Sequence, residues 1–150
     1  MNKEFMNYMR EMSEFWSNKY DKYKGEERHV VGRLDAPLEE YTLDTQNIKD
    51  CFLTISESGR AVIDFGCGIG RFRDVLSAKY PRYIGVDLVR KMGKDVEFYF
   101  LDTFLRRAFK VDAIFTSVVL QHVTNDKYLE FLFSRFNACL LTRWWLYLYE

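Results

Sequence analysis

The fold of this chain is decided by one stretch, Ala61-Val62-Ile63-Asp64-Phe65-Gly66-Cys67-Gly68-Ile69-Gly70. A short apolar run leads to an acid and then to three glycines at every second position, and an amphipathic segment at 71–80 follows at once. Strand, glycine turn and helix in this order are how α/β proteins hold a nucleotide against the start of a helix. Glycine suits the turn because it adopts unusual backbone angles and lets a ligand approach closely.

Strands and helices alternate on both sides of this stretch. Further strands are predicted at 83–87, 96–102, 111–116 and 144–149, and helices at 45–55, 71–80 and 125–141. This alternation predicts an α/β fold, with a three-layer, doubly wound, Rossmann-like sheet of five mostly parallel strands in the order 3-2-1-4-5.

The segment before the first strand is predicted to be largely helical. A helix is expected at 3–24 with Gly25 as its C-cap, followed by an irregular segment at 26–43 that contains Pro37. We therefore expect a single domain, 1–150, in which 1–58 is an N-terminal helical lid or cap segment and 59–150 is a cofactor-binding core.

Composition narrows the class of protein. The chain has 150 residues, is 48% hydrophobic, and balances 22 basic against 22 acidic side chains, so its charge indicates neither a nucleic acid nor a membrane partner. The three cysteines, Cys51, Cys67 and Cys139, form no CxxC pair, so neither a disulfide framework nor a metal site is indicated. No signal peptide or membrane span is recognised, and we expect a soluble, cytoplasmic protein.

Three acids are expected at one edge of the sheet. Asp64, Asp87 and Asp102 end the first, second and third predicted strands. Ligands of open α/β sheets bind outside the carboxyl ends of the strands. A carboxylate after the second strand, as Asp87 is, has the spacing to accept both ribose hydroxyls.

The spacing of the glycines indicates what kind of nucleoside binds. In a GxGxxG dinucleotide motif the last glycine would stand where this chain has Arg71, because Gly70 falls one position early. Asp64, two residues before the first glycine, repels a phosphate but suits an ammonium or a sulfonium. This favours a cationic, phosphate-free nucleoside and disfavours an NAD-dependent dehydrogenase.

Residues 61–149 resemble the class I S-adenosylmethionine-dependent methyltransferases. The resemblance rests on four motifs in the family's order: Asp64 to Gly70 as acid-x-G-x-G-x-G, Tyr83 to Leu88, Phe100 to Asp102, and Val111 to Val123. It implies S-adenosyl-L-methionine as cofactor, S-adenosyl-L-homocysteine as product, and a methyl group passed in line to a substrate nucleophile.

The resemblance also implies roles for individual residues. Gly66, Cys67 and Gly68 would approach the methionine part, with Asp64 near its ammonium group. Asp87 would hold the ribose hydroxyls, and Leu88, Asp102, Thr103 and Phe104 would surround the adenine. Ser117 and Val118 would lie beneath the sulfonium.

Several of these residues also have structural interpretations. The alternative interpretation of the glycine turn is a tight strand–helix connection, and Asp87 and Asp102 are also suited to cap helices. His122 is interpreted either as a general base or as a residue that fixes the loop after the fourth strand, and the second interpretation is favoured.

Other side chains are weighed as extensions of the site. Trp16 and Tyr20 resemble aromatic lid residues of the family, although a core position is favoured. Arg28 and Arg33 are candidates to bind the methionine carboxylate, although a solvent-exposed surface position is the favoured interpretation.

The chain departs from the family at its fifth strand. The family's sheet usually has seven strands, whereas the predicted strands end at 144–149, and an uncovered aromatic edge strand invites pairing. We therefore expect a homodimer or a partner chain at this edge.

The methyl acceptor is not identified by the sequence. The turn at 116–120 lacks the Asn/Asp-Pro-Pro-aromatic and Pro-Cys motifs of DNA base methyltransferases, so a small molecule is slightly favoured over RNA or protein. The alternative to an enzyme is a non-catalytic S-adenosylmethionine-binding or scaffold subunit that needs a partner.

Overall fold

The computed structural model describes residues 3–23, 26 and 37–149, with the side chains of residues 3 and 142–144 left aside. The chain divides into two compact units, Met1–Cys51 and Phe52–Glu150. The predicted division into a cap segment at 1–58 and a core at 59–150 stays a prediction. Gly25, Arg28 and Arg33 lie outside the described residues.

The first helix, α1, spans Lys3–Lys22, close to the predicted 3–24. Phe5 and Met9, one turn apart on the same face, are both buried. Glu4 stands in the first turn and Lys22 in the last, so both charges favour the helix dipole.

The second helix, α2, spans Leu38–Ile55 and begins seven residues before the predicted start at 45. The expectation of an irregular segment through residue 43 is therefore wrong for 38–43. Pro37 precedes the helix and its carbonyl oxygen accepts a hydrogen bond from the Tyr41 amide at 3.2 Å. Proline is well tolerated at a helix start, where its missing N–H is not needed, and Glu39 and Glu40 in the first turn favour the same end.

The second unit contains the predicted parallel sheet. Its strands are β1 (Ala61–Phe65), β2 (Arg82–Asp87), β3 (Phe98–Phe100), β4 (Val111–Ser117) and β5 (Leu140–Tyr149). They are hydrogen-bonded in the order β3-β2-β1-β4-β5, and each neighbouring pair is parallel. The predicted fold class and strand order are confirmed. All five residues of β1 are buried, as expected of a central strand covered on both faces.

Short helices connect the strands. They are α3 (Arg73–Lys79), α4 (Leu101–Arg106), a 3₁₀ turn at Leu120–His122, and α5 (Asp126–Cys139). Within the described part of the chain, no helix combines the length and apolar character that a membrane crossing requires.

Aromatic side chains fill the layers on the two faces of the sheet. On one face, the Phe65 ring contacts Phe104 and Phe136, with centroid distances of 5.7 and 4.9 Å. On the other face, Phe115 contacts Phe52 with a centroid distance of 5.6 Å. Because Phe65 and Phe115 come from neighbouring central strands, these aromatic contacts lie on both faces of the strands that carry the site.

The third strand is shorter than predicted, and this moves Asp102. The predicted strand at 96–102 is reduced to Phe98–Phe100, and α4 begins at Leu101. Phe104 and Leu105 are buried at positions that a helix places toward the core. Asp102 therefore stands in the first turn of α4, where an acid favours the helix dipole, and not at a strand end.

Candidate functional site

The glycine turn between β1 and α3 has one open position. Gly66, Gly68 and Gly70 all have positive φ, at 77°, 52° and 89°. A Cβ on Gly66 would lie 2.2 Å from a methyl carbon of Val119, and one on Gly70 would lie 2.5 Å from the methyl carbon of Met92. A Cβ on Gly68 would meet nothing within 4 Å. Packing thus requires glycine at position 66, whereas the flexible end of Met92 could move aside at position 70, and Gly68 borders free space.

Asp87 ties the glycine turn to the end of β2. Its carboxyl oxygens accept hydrogen bonds from the amides of Gly68 at 2.8 Å, Leu88 at 2.6 Å and Val89 at 3.3 Å. Burial raises the pKa of Asp87, and these three N–H groups act in the opposite direction because they favour the charged form. The carboxyl therefore lies beside the open position of the turn and is oriented by the backbone.

Asp64 is held from the neighbouring strand. Its side chain is buried, and its Oδ2 accepts a hydrogen bond from the Tyr83 hydroxyl at 2.6 Å. Burial raises the pKa of Asp64 to about 7; the Tyr83 hydrogen bond lowers it, Asp87 raises it, and Arg71 lowers it. A carboxyl that titrates near neutrality thus lies directly below the glycine turn.

The end of β4 carries backbone strain. Ser117 is the last residue of the strand and is buried, and Val118 has a positive φ of 57°. For a β-branched residue this is a genuine outlier. The Val118 amide donates to the carbonyl oxygen of Tyr149 at 2.7 Å, and Val119 packs on Gly66. Contacts on both sides therefore hold the strained residue beside the glycine turn.

Cys67 is a packing residue within the turn. It is buried, and a Cβ on Gly85 would lie 2.9 Å from its sulfur atom. Burial raises the pKa of the Cys67 thiol, and Asp64 and Asp87 raise it further. A thiol in this setting is inert as a nucleophile.

Three of the predicted adenine-side residues, Asp102, Thr103 and Phe104, lie on α4. Asp102 is half-buried and its carboxyl accepts a hydrogen bond from the Thr103 hydroxyl at 3.3 Å. Phe104 is fully buried and packs with Phe65 and Phe109 in the core. The roles of Asp102, Thr103 and Phe104 around the adenine ring stay predictions.

His122 ends the 3₁₀ turn that follows β4. Its side chain is half-buried, and its amide donates to the carbonyl oxygen of Val119 at 3.1 Å. Both interpretations of His122, loop-fixing residue and general base, stay predictions.

Trp16 and Tyr20 belong to α1 in the first unit. Both are half-buried, Trp16 meets Phe15 edge-to-face at 5.2 Å, and the Lys19 ammonium lies 4.9 Å from the Trp16 ring centroid. Their lid role stays a prediction.

Sequence reasoning missed Tyr83 and Val119. In the parallel register Asp64 pairs with Gly85, and Tyr83 lies two residues before Gly85 on β2. The position of this tyrosine was the available sequence signal for a contact with Asp64. No local sequence pattern marks Val119, because Val119 lies in the turn after β4 whereas Gly66 lies in the turn after β1.

A family model supplies independent information about the chain. The model, described as a methyltransferase domain, matches residues 38–148. The chain belongs to this family. The resemblance inferred from the four motifs is therefore confirmed.

Solved methyltransferases share the fold of this family member. Phosphoethanolamine N-methyltransferase 1 of Haemonchus contortus superposes with a TM-score of 0.65 at 18% identity, over 91% of this chain and 31% of that one. Magnesium protoporphyrin IX methyltransferase of Synechocystis gives 0.64 at 18%, over 88% and 71%. A SAM-dependent methyltransferase of Leishmania major gives 0.63 at 15%, over 93% and 59%.

The chain spans only part of some of these proteins, down to about a third of the Haemonchus enzyme. At these identities the similarity shows the fold. No curated protein sequence matches the chain.

Proposed function

We propose that this methyltransferase-family protein binds S-adenosyl-L-methionine and transfers its methyl group to an acceptor, leaving S-adenosyl-L-homocysteine. The observation that carries the proposal is the pairing of Gly68 and Asp87. The middle glycine leaves free space on one side, and the Asp87 carboxyl is fixed beside it by a 2.8 Å hydrogen bond. Neighbours of the same fold were crystallised with S-adenosylhomocysteine or S-adenosylmethionine, which supports the same donor here.

The residues of the turn suit the two ends of this donor. Asp87 would accept the ribose hydroxyls; since a carboxylate has about four acceptor sites, the 3.3 Å bond from Val89 is the one most readily given up. Asp64 would lie near the ammonium group, and Ser117 and Val118 beneath the sulfonium. When bound, the donor supplies an electrophilic methyl group.

The remaining roles follow the same arrangement. Leu88 would pack on the adenine and Asp102 would accept from its amino group. His122 would fix the loop after β4 or take the proton that the acceptor loses. Much of the rate enhancement would come from holding the acceptor nucleophile in line with the methyl group, since this requires no covalent enzyme intermediate.

A small molecule is the favoured acceptor. The turn after β4 lacks the motifs of DNA base methyltransferases. Two structural neighbours are named as methyltransferases of phosphoethanolamine and of magnesium protoporphyrin IX, which are both small molecules. Labelled methyl transfer from the donor into fractionated small-molecule, RNA and protein pools tests this preference, and label found only in RNA or protein contradicts it.

Calorimetry tests the donor itself. S-adenosylhomocysteine should bind the full chain, and NAD should not, because its phosphates would approach Asp64. Binding of NAD alone would refute the proposal. Tight S-adenosylhomocysteine binding without methyl transfer to any pool would favour the non-catalytic subunit.

We also propose that β5 pairs with a second copy of the chain. In the described sheet β5 is the last strand in order, and Trp145, Leu148 and Tyr149 are 42%, 49% and 48% exposed. An exposed apolar edge is a template for strand addition. Light scattering should report a dimer that Leu148→Lys weakens; a monomer at micromolar concentration would contradict this.

The free thiols of Cys51, Cys67 and Cys139 accord with a cytoplasmic location, which is part of the proposal.

A further inference from the structure

We propose that Tyr83 is a positioning residue of the donor site, whose hydroxyl holds the Asp64 carboxylate in place for the ammonium group of the donor. The inference rests on the proposed function and goes beyond it, because it gives Tyr83 a role through Asp64 rather than a contact with the donor. It is carried by the geometry of one hydrogen bond, by what packs around that bond, and by the balance of charges on Asp64.

The sheet brings the Tyr83 hydroxyl to Asp64 from the neighbouring strand. Asp64 pairs with Gly85 on β2, and Tyr83 lies two residues earlier on the same face, because side chains alternate along a strand. The hydroxyl donates to Oδ2 of Asp64 at 2.6 Å, a distance typical of a hydrogen bond from a hydroxyl to a charged carboxylate. A carboxylate has about four acceptor positions, so this hydrogen bond leaves others for an ammonium group.

Packing keeps the two side chains in this arrangement. Tyr83 is 8% exposed and Asp64 is 3% exposed. On the other side of the hydroxyl, the Met92 sulfur atom lies 3.7 Å from the Tyr83 oxygen, and Met92 also packs against Gly70 at the end of the glycine turn. A thioether is a weak acceptor and a carboxylate is a strong one, so the hydroxyl donates its proton to Asp64.

Asp64 depends on this hydrogen bond because its surroundings are largely apolar. On β4 the residue that pairs with Asp64 is Phe115. Burial raises the pKa of Asp64 to about 7; in decreasing order of size, the Tyr83 hydrogen bond then lowers it, Asp87 raises it and Arg71 lowers it. Tyr83 therefore does more than Arg71 to keep the carboxyl charged.

The Tyr83 phenol keeps its proton and so remains a donor. Burial raises the pKa of Tyr83, the neighbouring Asp64 and Cys67 raise it further, and Arg73 lowers it. A hydrogen bond to an ionised group is worth about a 10- to 100-fold change in an acid equilibrium. Loss of the Tyr83 hydroxyl should therefore raise the pKa of Asp64 and leave its carboxyl mostly protonated at neutral pH.

Calorimetry with S-adenosylhomocysteine across pH tests the inference. Tyr83→Phe should weaken binding about 5- to 50-fold at about pH 7, because Asp64 must then lose a proton before it meets the ammonium group. At about pH 9 the two proteins should agree within about twofold, because Asp64 is ionised in both. The affinities are compared as a ratio at each pH, so the titration of the ligand's own amino group cancels.

A second ligand separates positioning from a structural role. The deaminated analogue of S-adenosylhomocysteine keeps the nucleoside, the thioether and the carboxylate but lacks the ammonium group. Tyr83→Phe should bind this analogue no more weakly than the unmodified protein does, which also shows that the variant is folded. Equal weakening of both ligands at every pH would mean that Tyr83 only supports the fold, and it would overturn the inference.

A substitution at Asp64 tests whether Tyr83 acts through this carboxyl. In an Asp64→Asn background, Tyr83→Phe should change the affinity for S-adenosylhomocysteine by less than about twofold, because no carboxylate remains to be held. A further large loss would point to a direct contact of Tyr83 with the donor and would also overturn the inference.

Tyr99→Phe is the matched control. The Tyr99 hydroxyl donates to the Glu97 carboxylate at 3.1 Å, and Tyr99 lies on β3, which β2 separates from the strand of Asp64. The same loss of a phenol hydroxyl should therefore leave the affinity for S-adenosylhomocysteine unchanged at every pH. A loss with the pH dependence expected of Tyr83→Phe would contradict the assignment to Tyr83.

A separate outcome addresses the proposed function. If the unmodified protein binds neither S-adenosylhomocysteine nor its analogue, the donor assignment fails and the role of Tyr83 fails with it. If the unmodified protein binds S-adenosylhomocysteine and Tyr83→Phe binds it equally well at every pH, the donor assignment stands and the inference about Tyr83 is overturned.

Discussion

Replacing Asp64 by asparagine should make the protein more stable at alkaline pH. Asp64 is 3% exposed and makes a 2.6 Å hydrogen bond with the Tyr83 hydroxyl. The other charged groups that act on it are Asp87 and Arg71, and burial outweighs them to raise its pKa to about 7. An asparagine keeps the shape of the protonated acid, and its amide oxygen accepts the same hydrogen bond.

The magnitude follows from the pKa of Asp64 in the two states. The pKa rises from 3.8 in the unfolded chain to about 7 in the folded one, so the folded state binds the proton more tightly. This stabilisation is complete below about pH 3.8 and is lost progressively as the pH rises through about 7. At about 1.4 kcal/mol per pKa unit, the loss at alkaline pH reaches about 4 kcal/mol.

Urea unfolding across pH is the assay. Between about pH 5 and about pH 8, the unfolding free energy of Asp64→Asn should gain about 3 kcal/mol relative to the unmodified protein. Asp95→Asn is the control, because its side chain is 73% exposed and carries no burial cost. If the unmodified protein and Asp64→Asn show parallel pH profiles, the burial argument for Asp64 is wrong.

Three further predictions, which use four substitutions, test the site and its support. Asp87→Ala should weaken S-adenosylhomocysteine about 10- to 100-fold in calorimetry, and unchanged affinity would remove Asp87 from the site. Gly66→Ala should lower the unfolding free energy by about 3 kcal/mol, because its Cβ would lie 2.2 Å from Val119, whereas Gly68→Ala meets no atom within 4 Å and should cost only about 1 kcal/mol; equal costs would contradict the packing. Thr116→Val should raise the unfolding free energy by about 1 kcal/mol, since the buried Thr116 hydroxyl makes no hydrogen bond within the described part of the chain; a loss of stability would show that the hydroxyl is satisfied.

The sheet was predictable because its signals are local. The β-branched run at 61–65, the glycines after it and the recurring strand–helix alternation determine a parallel sheet with few possible topologies. The two errors lie where a local rule points both ways. Pro37 lies in the segment predicted to be irregular, but proline also starts helices, and the apolar run at 96–102 predicts a strand although a helix begins at Leu101.

Only those parts of the candidate site that depend on spacing along the chain were predictable from the sequence. The glycine turn and Asp87 follow from spacing along the chain. The partner of Asp64 and the positive φ of Val118 do not, because both arise between strands that are distant in sequence. Val118 keeps its strained conformation because the Tyr149 carbonyl and the contact of Val119 over-determine it.

The two carboxyls of the site differ in what stabilises their charge. Asp87 accepts three backbone N–H groups, whereas Asp64 has the Tyr83 hydroxyl and the field of Arg71. A ligand that brings an ammonium beside Asp64 lowers its pKa and restores its charge, and a ligand that brings hydroxyls beside Asp87 adds donors to a carboxyl already oriented to accept them. A phosphate beside Asp64 would do the opposite, because it adds negative charge next to a buried acid. The arrangement therefore favours a ligand with a cationic amino-acid end and a free ribose.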